Sequence, residues 1–147
     1  MTAPVRGQRS PRWALNATML IPCRDGIPYL FRRRLVQTPW FGLYLHDIFE
    51  PDAGRDPHNH PWSFISIVLR GSYTETLHTL PHVLLDATHE QTWKRWSLHR
   101  MGRETAHRIS YAEPSLKTLI ITGPRRTNWG FFTKPWGGFV SWQEYEG

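Results

Sequence analysis

His58 and His60 stand one residue apart in His58-Asn59-His60-Pro61-Trp62, and His107 follows far downstream. In an extended segment, residues i and i+2 project to the same face, so both imidazoles can reach one ion. A third imidazole from a distant strand would close a site of three neutral nitrogen ligands. Such a set leaves the charge of a divalent ion uncompensated and keeps coordination positions open, which favours binding a substrate over a structural role. The other five histidines, His46, His78, His82, His89 and His99, have no partners at ligand spacing and are expected at the surface or in structural roles.

A carboxylate could add a fourth ligand or a general base, and Glu75, Glu104 and Asp47 are the candidates. If Gly71-Ser72 makes a two-residue type II′ hairpin, Glu75 pairs with Val68 and shares its sheet face. Along a straight strand, however, Val68 lies about 27 Å from His60 at ~3.4 Å per residue. Glu104 stands three residues before His107. A surface ion pair is the competing role for each of the three. Trp62, Trp129 and Trp142 fall beside or within expected strands, where indoles fill a small barrel or stack on a planar ligand. Arg125 and Arg126 would suit an anionic group on that ligand.

These strings resemble the cupin superfamily. Its first motif has an opening Gly, a His-x-His pair, a Glu and a closing Gly; its second has a lone His after a Pro and Gly turn. Gly71 falls at the closing glycine, Phe64 stands in the Glu slot, and Gly54 lies only four positions before His58. His107 follows Gly102-Arg103-Glu104-Thr105-Ala106, an altered turn. The likeness covers roughly residues 41 to 142. His-x-His-Pro-Trp, Leu69-Arg70-Gly71 and Gly123-Pro124-Arg125-Arg126 through Trp129-Gly130-Phe131 are similar to a subgroup of small single-domain cupins of bacteria and phages.

The resemblance implies an all-β, cupin-type double-stranded β-helix, a jelly-roll barrel. It implies a divalent ion on His58, His60 and His107, with Fe(II) favoured and Zn, Mn, Ni or Cu also accepted. The implied activity is that of a mononuclear metalloenzyme, an Fe(II) oxygenase of dioxygenase type or an isomerase or lyase, acting on a small anionic or planar substrate. An anionic substrate would supply the missing negative charge. The two-His-one-carboxylate triad is not expected, because His60 stands where its carboxylate belongs. The alternatives are a non-catalytic metal- or ligand-binding cupin and a nucleic-acid-associated accessory protein. A homodimer is compatible with all of these.

Composition agrees with one compact β domain. The chain has 147 residues, with 12 Pro, 11 Gly and 20 aromatics, which favours short strands and turns over long helices. Cys23 is the only cysteine, so neither an internal disulfide nor a multi-cysteine zinc site is available. No run of 18 apolar residues occurs, so no membrane helix is expected. Residues 1–12 read as a flexible basic leader without an apolar signal core, residues 13–147 as the domain, and a cytoplasmic setting is expected. The formal charge of +6 gathers at Arg6, Arg9 and Arg12, at Arg32-Arg33-Arg34 and at Arg125-Arg126. Such clusters attract phosphates or simply solvate a surface. Within Arg32-Arg33-Arg34, strand alternation sends one arginine opposite to its neighbours, so an inward guanidinium is expected.

Nine strands are expected to position these groups, with no convincing helix. They cover 13–21, 28–38, 41–49, 62–70, 73–79, 92–99, 116–122, 129–133 and 139–145. A turn falls at Asp25-Gly26, a loop at Glu50 to Pro57, and an irregular connection at Pro81 to Gln91. In the third strand Phe41, Leu43, Leu45, Asp47 and Phe49 share a face, an apolar row with one acid.

Overall fold

The computed structural model describes residues 12–22, 28–52, 56–79, 89–133 and 138–145. The leader before Arg12, Cys23, the Asp25-Gly26 turn, Gly54 and His82 lie outside the described residues. Eleven strands and no helix are found among the described residues. They are β1 (Ala14–Pro22), β2 (Pro28–Gln37), β3 (Gly42–Ile48), β4 (Phe64–Arg70), β5 (Tyr73–Thr79) and β6 (His89–Trp93), then β7 (Leu98–Met101), β8 (Thr105–Ala112), β9 (Leu116–Thr122), β10 (Gly130–Phe132) and β11 (Phe139–Ser141).

One sheet runs β1-β2-β3-β9-β4-β7. The facing layer joins β6-β5-β8 to β10-β11 through His58, which bridges to His107 on β8 and to Phe131 on β10. Every pairing is antiparallel, and β3–β9, β4–β9, β4–β7 and β5–β8 join strands distant in sequence, as in a jelly roll. Register sorts the inner face of the larger sheet into rows. Leu30, Ile48 and Leu116 form an apolar row, and Arg32, His46 and Thr118 form the next. Arg34, Tyr44, Ile120, Ser66 and His99 make a third. Thr122, Phe64 and Met101 make a fourth.

Two apolar clusters close the interior. Leu30, Ile48, Val68 and Leu116 pack with Tyr73 and Ile109 of the opposite layer. Tyr44, Phe64, Met101 and Ile120 form the second, with Trp62 and Leu77 against them.

Four expectations are corrected. The 92–99 segment is two strands in two sheets: β6 ends at Trp93, Ser97 closes a turn onto Lys94, and Trp96 takes a positive φ of 70°. Residues 89–91, expected within an irregular connection, pair with β5 instead. Gly71 does take the positive φ, 76°, that a primed turn requires, yet β4 and β5 diverge into different sheets, so Glu75 pairs with Ile109 and not with Val68. On β3 the buried face carries Tyr44 and Ile48, while Phe41 and Phe49 are exposed and Asp47 pairs with Lys117 at 3.0 Å. The strand β8 was not expected from sequence. Its polar residues are tolerated because β5 pairs along its whole length.

Candidate metal centre

His58 and His107 exchange both backbone hydrogen bonds at 2.9 Å, so they form an antiparallel pair whose side chains leave the same face of the sheet. Their ring centroids lie 4.7 Å apart. The following residues fix the approach of His60. The Asn59 side chain accepts from the Gly130 amide at 2.9 Å, and the Pro61 carbonyl accepts from the Arg126 amide at 2.8 Å. His60 is thereby carried over the pair, and its Nε2 comes within 2.8 Å of His107 Nε2. One ligand nitrogen from each of the three residues lies within 4.8 Å of the others. His58, His60 and His107 thus come together.

Glu75 is fully buried and lies behind this cluster. Its Oε2 accepts from His107 Nδ1 at 2.5 Å, and its Oε1 accepts from Trp93 Nε1 at 2.7 Å. His99 Nε2 lies 3.7 Å from the same carboxylate and its ring stacks on Trp93 at 4.0 Å. Burial alone would raise the Glu75 pKa; hydrogen bonding and charge from His107, then His99 and Trp93, hold it below the usual carboxylate range. An ionised carboxylate only accepts, so His107 carries its proton on Nδ1 and turns the Nε2 lone pair toward His60. This is the arrangement by which a carboxylate orients a metal-ligating histidine.

The electrostatics fit a cation-accepting cluster. Burial pushes His60 well below the ordinary histidine pKa, and His107, His58, Arg32 and His46 push in the same direction, so its imidazole stays neutral. Burial also opposes charge on His107, but the hydrogen bond and charge of Glu75, with Asp52, raise its pKa. Three ligand nitrogens are thus gathered, with the Glu75 carboxylate behind His107.

The remaining sequence candidates lie around this centre in different ways. Glu75 holds His107 and is not among the gathered ligand atoms. Glu104 is exposed on the turn between β7 and β8. Trp129 stands 6.5 Å from the His58 ring and stacks on Trp142 at 5.6 Å, almost parallel. Trp62 stacks on Tyr44 at 6.2 Å. Arg125 and Arg126 are exposed and line an open hollow of about 570 Å³ with Thr127 and Asn128. Phe64, in the slot of the cupin Glu, is buried with its ring 4.9 Å from His60.

Two groups near the centre were read from sequence only as a member of a basic cluster and as a surface or structural histidine. Arg32 Nε donates to His46 Nε2 at 3.0 Å, and both residues are charges or dipoles that His60 senses. The signal was present in β2, where Leu30, Arg32 and Arg34 alternate on one face that an apolar residue begins.

No protein-family model matches the chain, and no curated protein matches it. Solved structures do. An Fe(II) form of HppE matches with a TM-score of 0.56 at 16% identity, over 71% of this chain and 56% of that one. KdgF from Halomonas sp. matches with a TM-score of 0.51 at 18% identity, over 66% of this chain and 80% of that one. Streptomyces albus HEPD, with 2-hydroxyethylphosphonate and Fe(II) bound, matches with a TM-score of 0.57 at 12% identity, over 74% of this chain and 24% of that one. The chain thus spans little more than half of the HppE structure and a quarter of HEPD. Identities this low speak for architecture alone, and together with the two antiparallel layers described above they give the chain a cupin-type jelly-roll fold.

Proposed function

We propose that the chain is a mononuclear metal-dependent cupin enzyme, an Fe(II) oxygenase or a related isomerase or lyase, acting on a small anionic or planar molecule. The observation that carries this reading is the 2.8 Å approach of His60 Nε2 to His107 Nε2, with His107 Nδ1 anchored on a buried carboxylate. Two imidazole lone pairs aimed at one point repel unless a proton or a cation lies between them. Burial keeps His60 neutral, so either its own N–H tautomer or a cation fills that place, and a divalent ion there can draw on all three gathered nitrogens. A divalent ion held by His58, His60 and His107 would supply Lewis acidity and open coordination positions.

The chain's own residues do the rest. Glu75 keeps the His107 proton on Nδ1 and fixes the ring. Phe64 packs its ring on His60, Trp62 packs against the same apolar cluster, and Trp129 flanks His58. Arg126 is tied through its amide to the Pro61 carbonyl, and the exposed Arg125 and Arg126 side chains would attract an anionic substrate. Fe(II) is favoured because the HppE and HEPD structures hold it in the same fold. The test is elemental analysis of untagged protein, followed by oxygen uptake with small anionic substrates. About one ion per chain, and turnover lost in His60→Ala, is the expected result. Protein that retains no divalent ion after loading would refute the metal reading, and a metal-loaded protein inert toward every such substrate would leave a binding cupin without catalysis.

A further inference from the structure

Arg32 and Arg34 alternate on β2, and the register sets them opposite His46 and Tyr44 on the inner face of the barrel. Arg33, between them, is exposed and bonds to Asn16 at 2.8 Å. Arg34 is only 5% exposed. Its terminal nitrogen makes one long contact with Met19 Sδ at 3.9 Å, and its buried Nε has no hydrogen-bond partner. Arg32 donates to the neutral ring of His46 and lies over Tyr44, 5.6 Å from the ring centre.

Among the described residues no carboxylate answers these two cations. Glu75 is engaged by His107 and Trp93; Asp52 is engaged by the Tyr29 hydroxyl and the Ile109 amide. Asp47 lies on the outer face with Lys117. Among the described residues no ion pair involves Arg32 or Arg34. Burial lowers the Arg32 pKa to about 10, with Tyr44 opposing and Arg34 adding to the shift, so the guanidinium is still charged at neutral pH. A buried charge is costly unless it is paired, and removing its partner leaves a large penalty. Two neighbouring unpaired guanidiniums therefore define a place for an anion, and their planar forks match carboxylate and phosphate oxygens. The place adjoins the three-histidine cluster, since Tyr44, over which Arg32 lies, stacks on Trp62, two residues after His60.

We propose that Arg32 and Arg34, walled by Tyr44 and His46, form an oxyanion seat inside the barrel that takes the carboxylate or phosphate-type end of a small-molecule substrate whose other end lies at His58, His60 and His107. The proposal rests on the enzyme reading above and names its substrate class: a small molecule with one fixed oxyanion and a separate reacting group. The seat is distinct from the exposed pair Arg125 and Arg126, which lies outside the barrel.

The test uses metal-free full-length protein titrated with inorganic phosphate and, separately, with acetate, read by calorimetry and by indole fluorescence. Trp62, stacked on Tyr44, is placed to report. Saturable binding is expected, weakened about tenfold or more in Arg32→Gln and in Arg34→Gln, and unchanged in Arg33→Gln. No saturable binding by the parent, or binding that survives both inner substitutions, overturns the seat. So does binding lost only in the Arg125→Gln, Arg126→Gln double variant. Arg34→Met guards against a folding artefact. In anion-free buffer its melting temperature should equal or exceed that of the parent, and it should no longer rise on adding phosphate. A lower melting temperature with an undiminished phosphate-dependent rise overturns the seat. Metal content on the same samples separates the two readings. A parent that holds metal but ignores anions refutes the seat alone. A parent that binds anions through Arg32 and Arg34 but holds no metal supports the seat and refutes the enzyme reading.

Discussion

His107 and Glu75 are joined across the β5–β8 pair by a 2.5 Å hydrogen bond, and that bond decides which nitrogen of His107 faces His60. A carboxylate in this position does three things at once. It selects the tautomer, fixes the ring plane and makes the free nitrogen more basic. The fully buried position of Glu75, with Trp93 on its other oxygen, keeps it from turning toward solvent.

Glu75→Gln tests that role without a change of volume. The amide offers a donor as well as an acceptor and no charge, so the His107 tautomer is no longer fixed. Affinity for a divalent ion should fall about 10- to 100-fold, as for other second-layer partners of ligating histidines. Competition against a chromophoric chelator measures it. An unchanged affinity would mean that Glu75 is a packing residue that happens to meet His107.

The buried histidines set the acid limit of the metal-free protein. His46, His60, His78 and His99 all have lowered pKa values, with burial the largest cause in each. Unfolded, they titrate near ~6.5, so below that pH the unfolded chain takes up protons that the folded chain refuses, and stability falls. His107 has the opposite sign. Its folded pKa is raised, so its contribution is fully present below ~6.5 and is lost as pH rises through the folded value. Glu75, held low, contributes above ~4.3 and loses that contribution only as pH falls through its folded value. With four groups against one, the melting temperature should drop between about pH 7 and about pH 5. A melting temperature that holds steady or climbs over that window would contradict these environments.

What the sequence made legible, and what it did not, follows from which interactions are local. His58 and His60 lie on one short extended segment, so i and i+2 geometry was enough to place them together. Leu116–Thr122 is apolar enough on both faces to be read as a strand from composition alone. The role of Glu75 was hidden because it depends on strand pairing. A positive φ at Gly71 is as compatible with a hairpin as with a crossing between sheets, and only the pairing of β5 with β8 brings Glu75 to His107. The strand β8 was missed for a related reason. Its Arg108, Ser110 and Tyr111 face outward, and its extended form comes from partners far away in the chain. In Arg32-Arg33-Arg34, alternation alone could separate the middle residue from its neighbours, but only the sheet says which side is inside.

Leu116 supplies stability without touching the histidines. It is fully buried among Leu30, Ile48, Val68, Tyr73 and Ile109. Leu116→Ala should therefore cost about 2–5 kcal/mol in denaturant unfolding, the loss of transfer energy plus the cavity left behind. Metal stoichiometry of the folded fraction should stay at the parental value. A variant as stable as the parent would show that the end of the barrel capped by Leu116 collapses freely, and a folded variant that has lost its metal would show that the two regions are coupled.

The three histidines themselves admit the most direct comparison. Removing one from a neutral three-nitrogen set leaves two ligands with no anionic residue at the ion, and water competes well for a divalent cation held so weakly. His58→Ala, His60→Ala and His107→Ala should each abolish stoichiometric metal binding, while His89→Ala, an exposed position at the start of β6, should bind as the parent does. Folding should survive in all four, because the two apolar clusters do not include a histidine. His60→Ala carries a further signature. It removes one member of the close His60–His107 nitrogen pair, so the variant should be markedly less stabilised by added metal than the parent. Parental metal content in folded His107→Ala, measured by elemental analysis, would show that the ion is held elsewhere and that the 2.8 Å pair is a hydrogen bond and nothing more.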